Sequence, residues 1–233
     1  MSQPAPLTTT ERSKRYWDRR IRPWEASVYE RSTTGLSLLE RAATLFRGPV
    51  RARMDETVRV ITPWVSGKTI VDIGCGSGVL AERLLNAGAK KVIGLDIAPA
   101  GIAAANARLR VSGFDPSRHE FIEQNLATHP ETPAADLATG LGFLDYLTPP
   151  EIVELFRHLR SPLFFFSFPE GQWSVRTVLH EGYLRLAGCP VFHKYSRPSF
   201  DQFLAEAGRL EHRQYYQRDQ FRFIHNIPGL TRR

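Results

Sequence analysis

The stretch Thr69-Ile-Val-Asp-Ile-Gly-Cys-Gly-Ser-Gly-Val-Leu80 decides the fold of this chain of 233 residues. An apolar run leads into Asp72, and three glycines follow at every second position, at 74, 76 and 78, before a helical pattern begins. Because glycine has no Cβ, the turn can be tight and a ligand can lie directly on backbone N–H groups. The stretch therefore predicts a strand, a ligand-binding loop and a helix in immediate succession.

The position of the acid distinguishes this loop from a dinucleotide-binding loop. The dinucleotide fingerprint reads G-x-G-x-x-G and carries its acid at the end of the second strand. Here the spacing is G-x-G-x-G, and Asp72 lies two residues ahead of Gly74. A carboxylate there leaves less room for a pyrophosphate and suits a ligand that bears an amine. The loop resembles motif I of the class I S-adenosylmethionine (SAM) methyltransferases; the alternative is a glycine-rich turn that binds nothing.

Short apolar segments alternate with helical segments of about ten residues from position 67 onward. The predicted strands are 69–73, 91–96, 120–124, 136–141 and 163–168, and the predicted helices between and after them are 78–87, 99–112, 149–159, 171–186 and 199–207. This alternation predicts βαβ units with helices on both faces of a parallel sheet. Residues 209–227 alternate enough to form two strands of an antiparallel hairpin at the sheet edge.

The resemblance implies one α/β domain, a doubly wound seven-stranded sheet of order 3-2-1-4-5-7-6 that is mostly parallel with one antiparallel edge strand. Residues 1–10 are rich in Pro and Thr and are predicted to be a disordered tail. Residues 11–66 show helical periodicity and are predicted to form an N-terminal helical lid, and residues 67–233 the Rossmann-like core. Val50, Met54, Val58 and Ile61 share one face of a helix within the lid.

The charge of the chain is unevenly distributed. The net charge is +7, but residues 71–150 carry −3, whereas residues 1–70 carry +6 and residues 151–233 carry +4. The predicted cofactor-binding half is thus acidic, which makes nucleic acid an unfavoured partner. The densest basic cluster comprises Arg12, Lys14, Arg15, Arg19, Arg20 and Arg22. It leaves an acidic substrate or lipid headgroups open as partners.

The remaining composition predicts a soluble cytoplasmic protein. With 42% hydrophobic and 24% charged residues the chain can form an ordinary core. Cys75 and Cys189 show no metal-ligand spacing and no disulfide framework, so we expect no metal. No segment has the length and hydropathy of a signal peptide or a membrane span.

Residues at the carboxyl ends of the predicted strands supply the cofactor-binding candidates, because ligands of open α/β sheets lie there. Asp96 ends the second strand, and its carboxylate can accept hydrogen bonds from ribose hydroxyls. Asn125 ends the third strand, where it either faces an adenine amine or only forms a turn. By resemblance, cofactor-binding roles fall on Asp72, Gly74, Cys75, Gly76, Gly78, Asp96, Ile97, Asn125 and Leu126.

A second resemblance lies in the predicted lid. The segment Trp24-Glu25-Ala-Ser-Val-Tyr29-Glu30 resembles the Trp-Ala-x-x-Tyr-Asp stretch of small-molecule members of the family. There the tyrosine belongs to a helix that covers SAM, so Tyr29 is expected to contact the methionine portion, and Arg53 its carboxylate. Amphipathic packing alone is the alternative.

Catalytic candidates follow the fourth and fifth strands. Asp145 and Tyr146 fall where the chain leaves the sheet, at a position where many related enzymes read Leu-Glu-His. The alternative is that Asp145 caps the helix near Pro149 and Tyr146 packs beneath it. His180, on a predicted helix face, is the best-placed histidine for general base work, with a structural role as its alternative; His193 and Tyr195 are weaker candidates.

The function predicted from the sequence is SAM-dependent methyl transfer to an oxygen or nitrogen of a small-molecule, hydrophobic or aromatic acceptor. Two alternatives stay open. One is an RNA or protein methyltransferase that uses the basic N-terminal region. The other is a SAM-binding protein without catalysis.

Overall fold

The computed structural model describes residues 9–29, 48–168, 193–219 and 221–230. The helices are α1 (Thr9–Tyr29), α2 (Gly48–Ile61), α3 (Val79–Asn86), α4 (Pro99–Val111), α5 (Pro149–Arg157) and α6 (Arg197–Glu206). The strands are β1 (Thr69–Ile73), β2 (Lys91–Asp96), β3 (His119–Glu123), β4 (Leu137–Gly140), β5 (Leu163–Ser167), β6 (Gln214–Arg218) and β7 (Phe221–His225). Short 3₁₀ turns cover Thr62–Trp64, Pro116–Arg118 and Leu144–Tyr146.

All seven strands belong to one sheet of order β3-β2-β1-β4-β5-β7-β6, which confirms the predicted topology. Strands β1 to β5 pair in parallel. β7 runs antiparallel to both of its neighbours, β5 and β6. The single antiparallel strand therefore lies one place in from the edge, and β6 forms the edge itself.

Strands β1 and β2 have the bounds that the sequence pattern predicts, and the other predicted elements that lie in the described ranges differ by one or two residues at their ends. Helix α1 begins at Thr9, inside the tail that was expected to be disordered, and Glu11 in its first turn suits the positive end of the helix dipole. The predicted helix at 171–186 lies outside the described residues.

Alternation along the central strands places the core on both faces of the sheet. Phe164 and Phe166 of β5 point to one face, where their rings stack 5.7 Å apart. Phe165 points to the other face and stacks on Phe223 of β7 at 4.7 Å. All three phenylalanines are fully buried, as expected of a strand with a side chain layer on each face.

A polar network holds α2 against the hairpin of β6 and β7. The buried carboxylate of Glu56 accepts hydrogen bonds from Arg59 and from the hydroxyl of Tyr216 on β6. Burial pushes the pKa of Glu56 upward, but these hydrogen bonds outweigh it and lower the pKa below its usual value. The network fixes α2, which carries Arg53 into the site.

Gly140 at the end of β4 tests how tightly the site-bearing strands pack. An added Cβ would lie 2.5 Å from the backbone oxygen of Ile73 and 2.6 Å from the ring of Phe143. Because backbone cannot yield, Gly140→Ala is expected to cost about 3 kcal/mol or more. This corresponds to a fall of about 6–12 °C in thermal unfolding temperature.

Gly113→Ala is the matched control for that variant. Gly113 has φ +72° but nothing within 4 Å of an added Cβ. Its substitution should cost only the left-handed backbone strain of about 1–2 kcal/mol. Equal losses in the two variants would contradict close packing at Gly140.

Across the helices that the structure describes, none combines the length and the apolar character that crossing a membrane requires.

Candidate functional site

The carboxyl ends of β1, β2 and β4 lie side by side and bring the predicted site residues together. In the sheet register Asp72 stands between Gly94 of β2 and Thr139 of β4. The glycine loop, the acid that ends β2 and the turn after β4 therefore surround one edge of the sheet. This is the edge at which open α/β sheets bind their ligands.

Every backbone N–H of the glycine loop is engaged. Gly74 and Cys75 donate to the carbonyl of Leu95 at 2.8 and 3.1 Å. Gly76 donates to Asp96 at 2.8 Å, and Gly78 donates to the carbonyl of Cys75 at 3.0 Å. The Ser77 N–H donates to the carboxylate of Glu25 at 3.0 Å. The loop does not present the free N–H groups that its glycines led us to expect, and a ligand that takes the Ser77 N–H must displace Glu25.

Close contacts explain why the loop needs glycine. A Cβ on Gly74 would lie 2.9 Å from the Cβ of Phe143, and one on Gly76 would overlap the Glu25 carboxylate. A Cβ on Gly78 would meet Ala105 of α4 at 3.0 Å, and its φ of +75° is left-handed. The loop is thus enclosed by the turn after β4, by the N-terminal helix and by α4.

Asp72 is the most deeply buried acid of the site. It is 1% exposed, and its Oδ2 has no hydrogen-bond partner among the described residues. Burial, followed by the charges of Asp96 and Glu25, raises the pKa of Asp72 to about 8. An unpaired buried carboxylate is costly, so this oxygen marks a place for a donor that the described part of the chain does not supply.

Asp96 is held in a fixed orientation. One of its oxygens accepts from the N–H of Gly76 and the other from the N–H of Ala98, both at 2.8 Å. Burial raises its pKa and the backbone hydrogen bonds lower it, with a net rise. Among the described residues, only backbone N–H groups, of Gly76, Ile97 and Ala98, act on this carboxylate, and it keeps capacity to accept from the hydroxyls of a diol.

Helix α1 covers this edge of the sheet with one face. Its side chains at Lys14, Asp18, Ile21, Glu25 and Val28 follow at three- and four-residue steps and so share that face. Lys14 pairs with Glu123 at the end of β3, and the Asp18 carboxylate accepts from the N–H of Ala100 at 2.8 Å. Ile21 and Val28 are buried. Helix α1 therefore docks at the carboxyl edge, with Glu25 on the loop just before α3 and Asp18 on the first turn of α4.

Glu25 is the functional residue that the sequence interpretation missed. It is 7% exposed. Burial raises its pKa to about 7, against the hydrogen bonds from Ser77, which lower it. The available signal was a carboxylate at helical spacing between Ile21 and Val28, the two buried apolar residues of this face.

A cavity of about 580 Å³ lies beside Asp96, where the adenine was expected. Ile97 and Asn125 line it, as the resemblance implied, and Lys14 closes one side. The Asn125 side-chain oxygen also accepts from the N–H of Ala127 at 3.1 Å, so it forms the turn as well. Leu126 packs against the hydrophobic core, and the Cys75 thiol is buried against β2, so only their backbones can face a ligand.

The turn after β4 forms the second half of the site. Asp145 is 7% exposed and its Oδ1 has no partner within the described part of the chain. Burial raises its pKa to about 6, although the positive charge of Arg53 opposes the rise. The Arg53 guanidinium would lie 2.9 Å from a Cβ on Gly142 in the same turn. Arg53 and Asp145 therefore both lie at the turn after β4, close enough for the charge of one to act on the other.

Asp145 does not cap the following helix. Thr148 is the N-cap of α5, and the side chain of Glu151 accepts from the Thr148 N–H at 2.7 Å in a capping box. The sequence carries this signal as Thr148-Pro-Pro-Glu151. Tyr146 does not pack against α5 alone. Its ring contacts the ring of Trp17 on α1 edge-on, at a centroid distance of 5.4 Å.

Two predicted residues fall outside the description. His180 lies outside the described residues, and so does the side chain of Tyr29, although Tyr29 ends α1. His193 lies within the described residues. Its backbone N–H donates to the carbonyl of Asp145 at 2.7 Å, and its ring stacks on that of Tyr195 at a centroid distance of 5.9 Å. The described residues hold no group of three or more His, Cys, Asp or Glu side chains placed to bind a metal ion.

Residues 70–163 match the model of a known family, which is described as a methyltransferase domain. The ribosomal protein L11 methyltransferase of Vibrio campbellii is 41% identical over 76 residues, which are 33% of this chain and 25% of that protein. That of Photobacterium profundum is 45% identical over 62 residues, 27% of this chain and 21% of that protein. The chain thus spans about a quarter of the length of the curated relatives it matches.

Solved structures share the whole fold. The magnesium protoporphyrin IX methyltransferase from Synechocystis PCC 6803 with bound SAM aligns with a TM-score of 0.67 over 96% of this chain and 98% of its own, at 16% identity. The SAM-dependent methyltransferase from Mesorhizobium loti aligns with a TM-score of 0.56 over 74% of this chain and 96% of its own, at 20% identity. At these identities the likeness shows the fold, and it confirms the predicted fold class.

Proposed function

We infer that this chain is a class I SAM-dependent methyltransferase, and we propose that it methylates an oxygen or nitrogen of a small-molecule acceptor. The observation that carries the proposal is the buried Asp72 Oδ2 beside the glycine loop, next to the oriented Asp96; this oxygen has no hydrogen-bond partner among the residues that the structure describes. The matched methyltransferase domain at residues 70–163 spans both acids.

The residues present fit SAM. The buried Oδ2 of Asp72 suits the amine of the methionine portion, and the remaining acceptor capacity of Asp96 suits the ribose hydroxyls. The cavity lined by Ile97 and Asn125 can take the adenine, and its 580 Å³ lies in the usual range for small-molecule sites. Arg53 is placed to pair with the carboxylate of the methionine portion. The single contribution of SAM is an electrophilic methyl group on a sulfonium.

The protein contributes position more than bond chemistry. In methyl transfer the bond from methyl to sulfur breaks as the bond from the acceptor forms, and the acceptor loses its proton to a base. Holding the reacting atoms in line can supply roughly 7–11 kcal/mol of the acceleration. Asp145, with its free Oδ1 and raised pKa, is placed to accept the acceptor proton, and Tyr146 with Trp17 forms an aromatic wall.

The acceptor class rests on three features. Residues 71–150, which contain most of the candidate site residues, carry a net negative charge, and this disfavours a polyanionic substrate. The turn after β4 reads Gly-Phe-Leu-Asp145-Tyr146 and lacks the Asn/Asp-Pro-Pro-aromatic turn of nucleobase amino-methyltransferases. The Synechocystis enzyme, which aligns over nearly the whole chain, is named for a small-molecule acceptor.

A stripe of exposed arginines supports the second candidate, an RNA or protein methyltransferase. Arg12, Arg15, Arg19 and Arg22 lie on the face of α1 that points away from the site, exposed to solvent. The named function of the Vibrio relative also involves a protein acceptor. Reversing the charges of Arg15, Arg19 and Arg20 should leave activity unchanged if the acceptor is a small molecule.

Transfer of label from methyl-tritiated SAM distinguishes the candidates. The purified protein is incubated with a cell extract, which is then separated into low-mass, protein and RNA fractions. We expect the label in the low-mass fraction. Label in the protein or RNA fraction would contradict a small-molecule acceptor and identify a macromolecular one. SAM binding with no label in any fraction would favour a non-catalytic protein.

The double variant Asp145→Asn, Tyr146→Phe is expected to lose more than about 90% of this labelling because it removes the proton acceptor and the phenol together. SAM should still stabilise the variant against heat as it does the wild type, since neither side chain belongs to the cofactor cradle. Full labelling by the variant, or loss of the stabilisation by SAM, would contradict these roles.

A further inference from the structure

Three carboxylates from three different elements surround the glycine loop. Glu25 of α1 accepts from the Ser77 N–H at 3.0 Å, and Asp96 of β2 accepts from the Gly76 N–H at 2.8 Å. Asp72 of β1 is buried, and its Oδ2 has no partner within the described ranges. Glu25 brings this third charge from a helix that lies 52 residues away along the chain. We call these residues the acidic trio.

The charge of the acidic trio is little compensated by the described residues around it. The positive charge of Arg108 of α4 lowers the pKa of Glu25. This effect is weaker than those of burial, of the Ser77 hydrogen bonds and of the charge of Asp96. Its guanidinium is engaged elsewhere, with the carbonyl of Ser77 at 3.0 Å and with Glu82 at 3.3 Å. Asp96 and Glu25 both raise the pKa of Asp72 by their charge, after burial. A site with this electrostatics favours a ligand that carries positive charge.

We propose that Glu25 is a specificity-determining residue that makes the site prefer the cationic sulfonium cofactor over its neutral thioether product. This inference rests on the proposed function. SAM carries one positive charge more than S-adenosylhomocysteine (SAH), and the two share the adenosine and amino acid portions. A carboxylate beside the loop therefore affects the affinity for SAM more than the affinity for SAH. Hydrogen bonds to ribose and adenine affect the two affinities equally.

The position of Glu25 also connects ligand charge to the docking of α1. Its carboxylate contacts the Ser77 N–H of the glycine loop just before α3, and Ile21 packs beside it over Gly76. A cation near the acidic trio relieves the repulsion among the three acids and so holds α1 closed. When the methyl group has been transferred, that charge is gone, and both the product and the helix are held less tightly.

The test is calorimetric binding of three ligands to the full chain. SAM and sinefungin carry the extra positive charge, and SAH does not. The pKa of Glu25 is about 7, so binding is measured at about pH 8, where Glu25 is ionised. There Glu25→Gln keeps an oxygen for the Ser77 N–H and removes only the charge. We expect it to raise the dissociation constants of SAM and sinefungin roughly tenfold and that of SAH less than threefold.

Two further variants make the result specific. Asp18→Asn removes a carboxylate from the same face of α1, at α4 rather than at the loop, and should leave the ratio of SAM to SAH affinity unchanged. Glu25→Asp keeps the charge and should retain most of the preference that Glu25→Gln loses.

Three outcomes would overturn the inference. The first is an unchanged affinity ratio in Glu25→Gln. The second is tighter binding of all three ligands, which would mean that Glu25 only blocks the Ser77 N–H. The third is a ratio that Asp18→Asn alters as much as Glu25→Gln. Failure of the proposed function is distinct, because the wild-type protein would then bind none of the three ligands.

Discussion

Asp96→Ala is expected to abolish the thermal stabilisation that SAM and SAH give to the wild-type protein. The carboxylate performs two tasks at once, since it accepts from Gly76 and Ala98 and keeps acceptor capacity for the ribose hydroxyls. Hydrogen bonds to a charged group contribute about 1.5–3 kcal/mol each. Loss of two such bonds raises the dissociation constant by roughly a hundredfold or more.

The measurement is thermal unfolding with and without ligand. At a hundred times its dissociation constant a ligand stabilises by about 2.7 kcal/mol, which is a shift of roughly 5–11 °C for a domain of this size. The wild type should show this shift with SAM and SAH but not with NAD, and Asp96→Ala should show none.

Asp136→Ala is the control for the loss of an acid at the opposite edge of the sheet. Asp136 precedes β4, where its carboxylate accepts from the Thr69 N–H at 2.8 Å. The variant should unfold at a lower temperature but keep the full shift with SAM. A full shift in Asp96→Ala, or a wild-type shift with NAD alone, would contradict the assignment of the cofactor site.

The fold was predictable because its signals are local. The apolar run of β1 lies between Gly67 and Gly74, and that of β2 begins shortly after Gly88. These glycines mark turns, so the sequence itself indicates where the strands begin and where β1 ends. The three phenylalanines of β5 fit a strand that is buried on both faces, which a parallel α/β sheet provides. The strand-end acids Asp72 and Asp96 then follow from the rule that ligands lie at the carboxyl edge.

The parts of the site that were missed depend on contacts between distant residues. Nothing near Ser77 in the sequence indicates that Glu25 lies on its N–H, because that contact follows from how α1 docks. The closeness of Arg53 to Asp145 likewise depends on where the Glu56 network holds α2. That Asp145 does not cap the helix could have been predicted from the sequence, because the Thr148-Pro-Pro-Glu151 pattern already supplies the N-cap of α5.

Asp72→Asn is expected to stabilise the ligand-free protein at high pH and to weaken SAM binding in the same variant. The pKa of Asp72 is about 8 in the folded protein against an ordinary value of 3.8. Between these values the folded state binds more protons than the unfolded state, so the contribution of this group to stability falls as pH rises through the window. The amide cannot ionise and removes that penalty.

The expected difference in unfolding temperature therefore grows with pH. At about pH 4, close to the ordinary pKa of 3.8, the variant and the wild type should differ little from this cause. By about pH 8.5 the variant should be more stable by at least about 1 kcal/mol, or about 2–4 °C in unfolding temperature. Asp145→Asn is the matched control, because the pKa of Asp145 is only about 6. Its advantage should stop growing near pH 6.5, whereas that of Asp72→Asn continues to rise.

The same variant is expected to bind SAM at least roughly tenfold more weakly, since it removes the acceptor for the ligand amine and one charge of the acidic trio. Stability and binding then move in opposite directions, which is the behaviour of a buried group kept for its ligand rather than for the fold. Lower stability of Asp72→Asn at pH 8.5, together with unchanged SAM affinity, would instead make Asp72 a structural acid. The negative charge of Asp72 that lowers the stability of the ligand-free protein at high pH also favours the binding of a cationic cofactor.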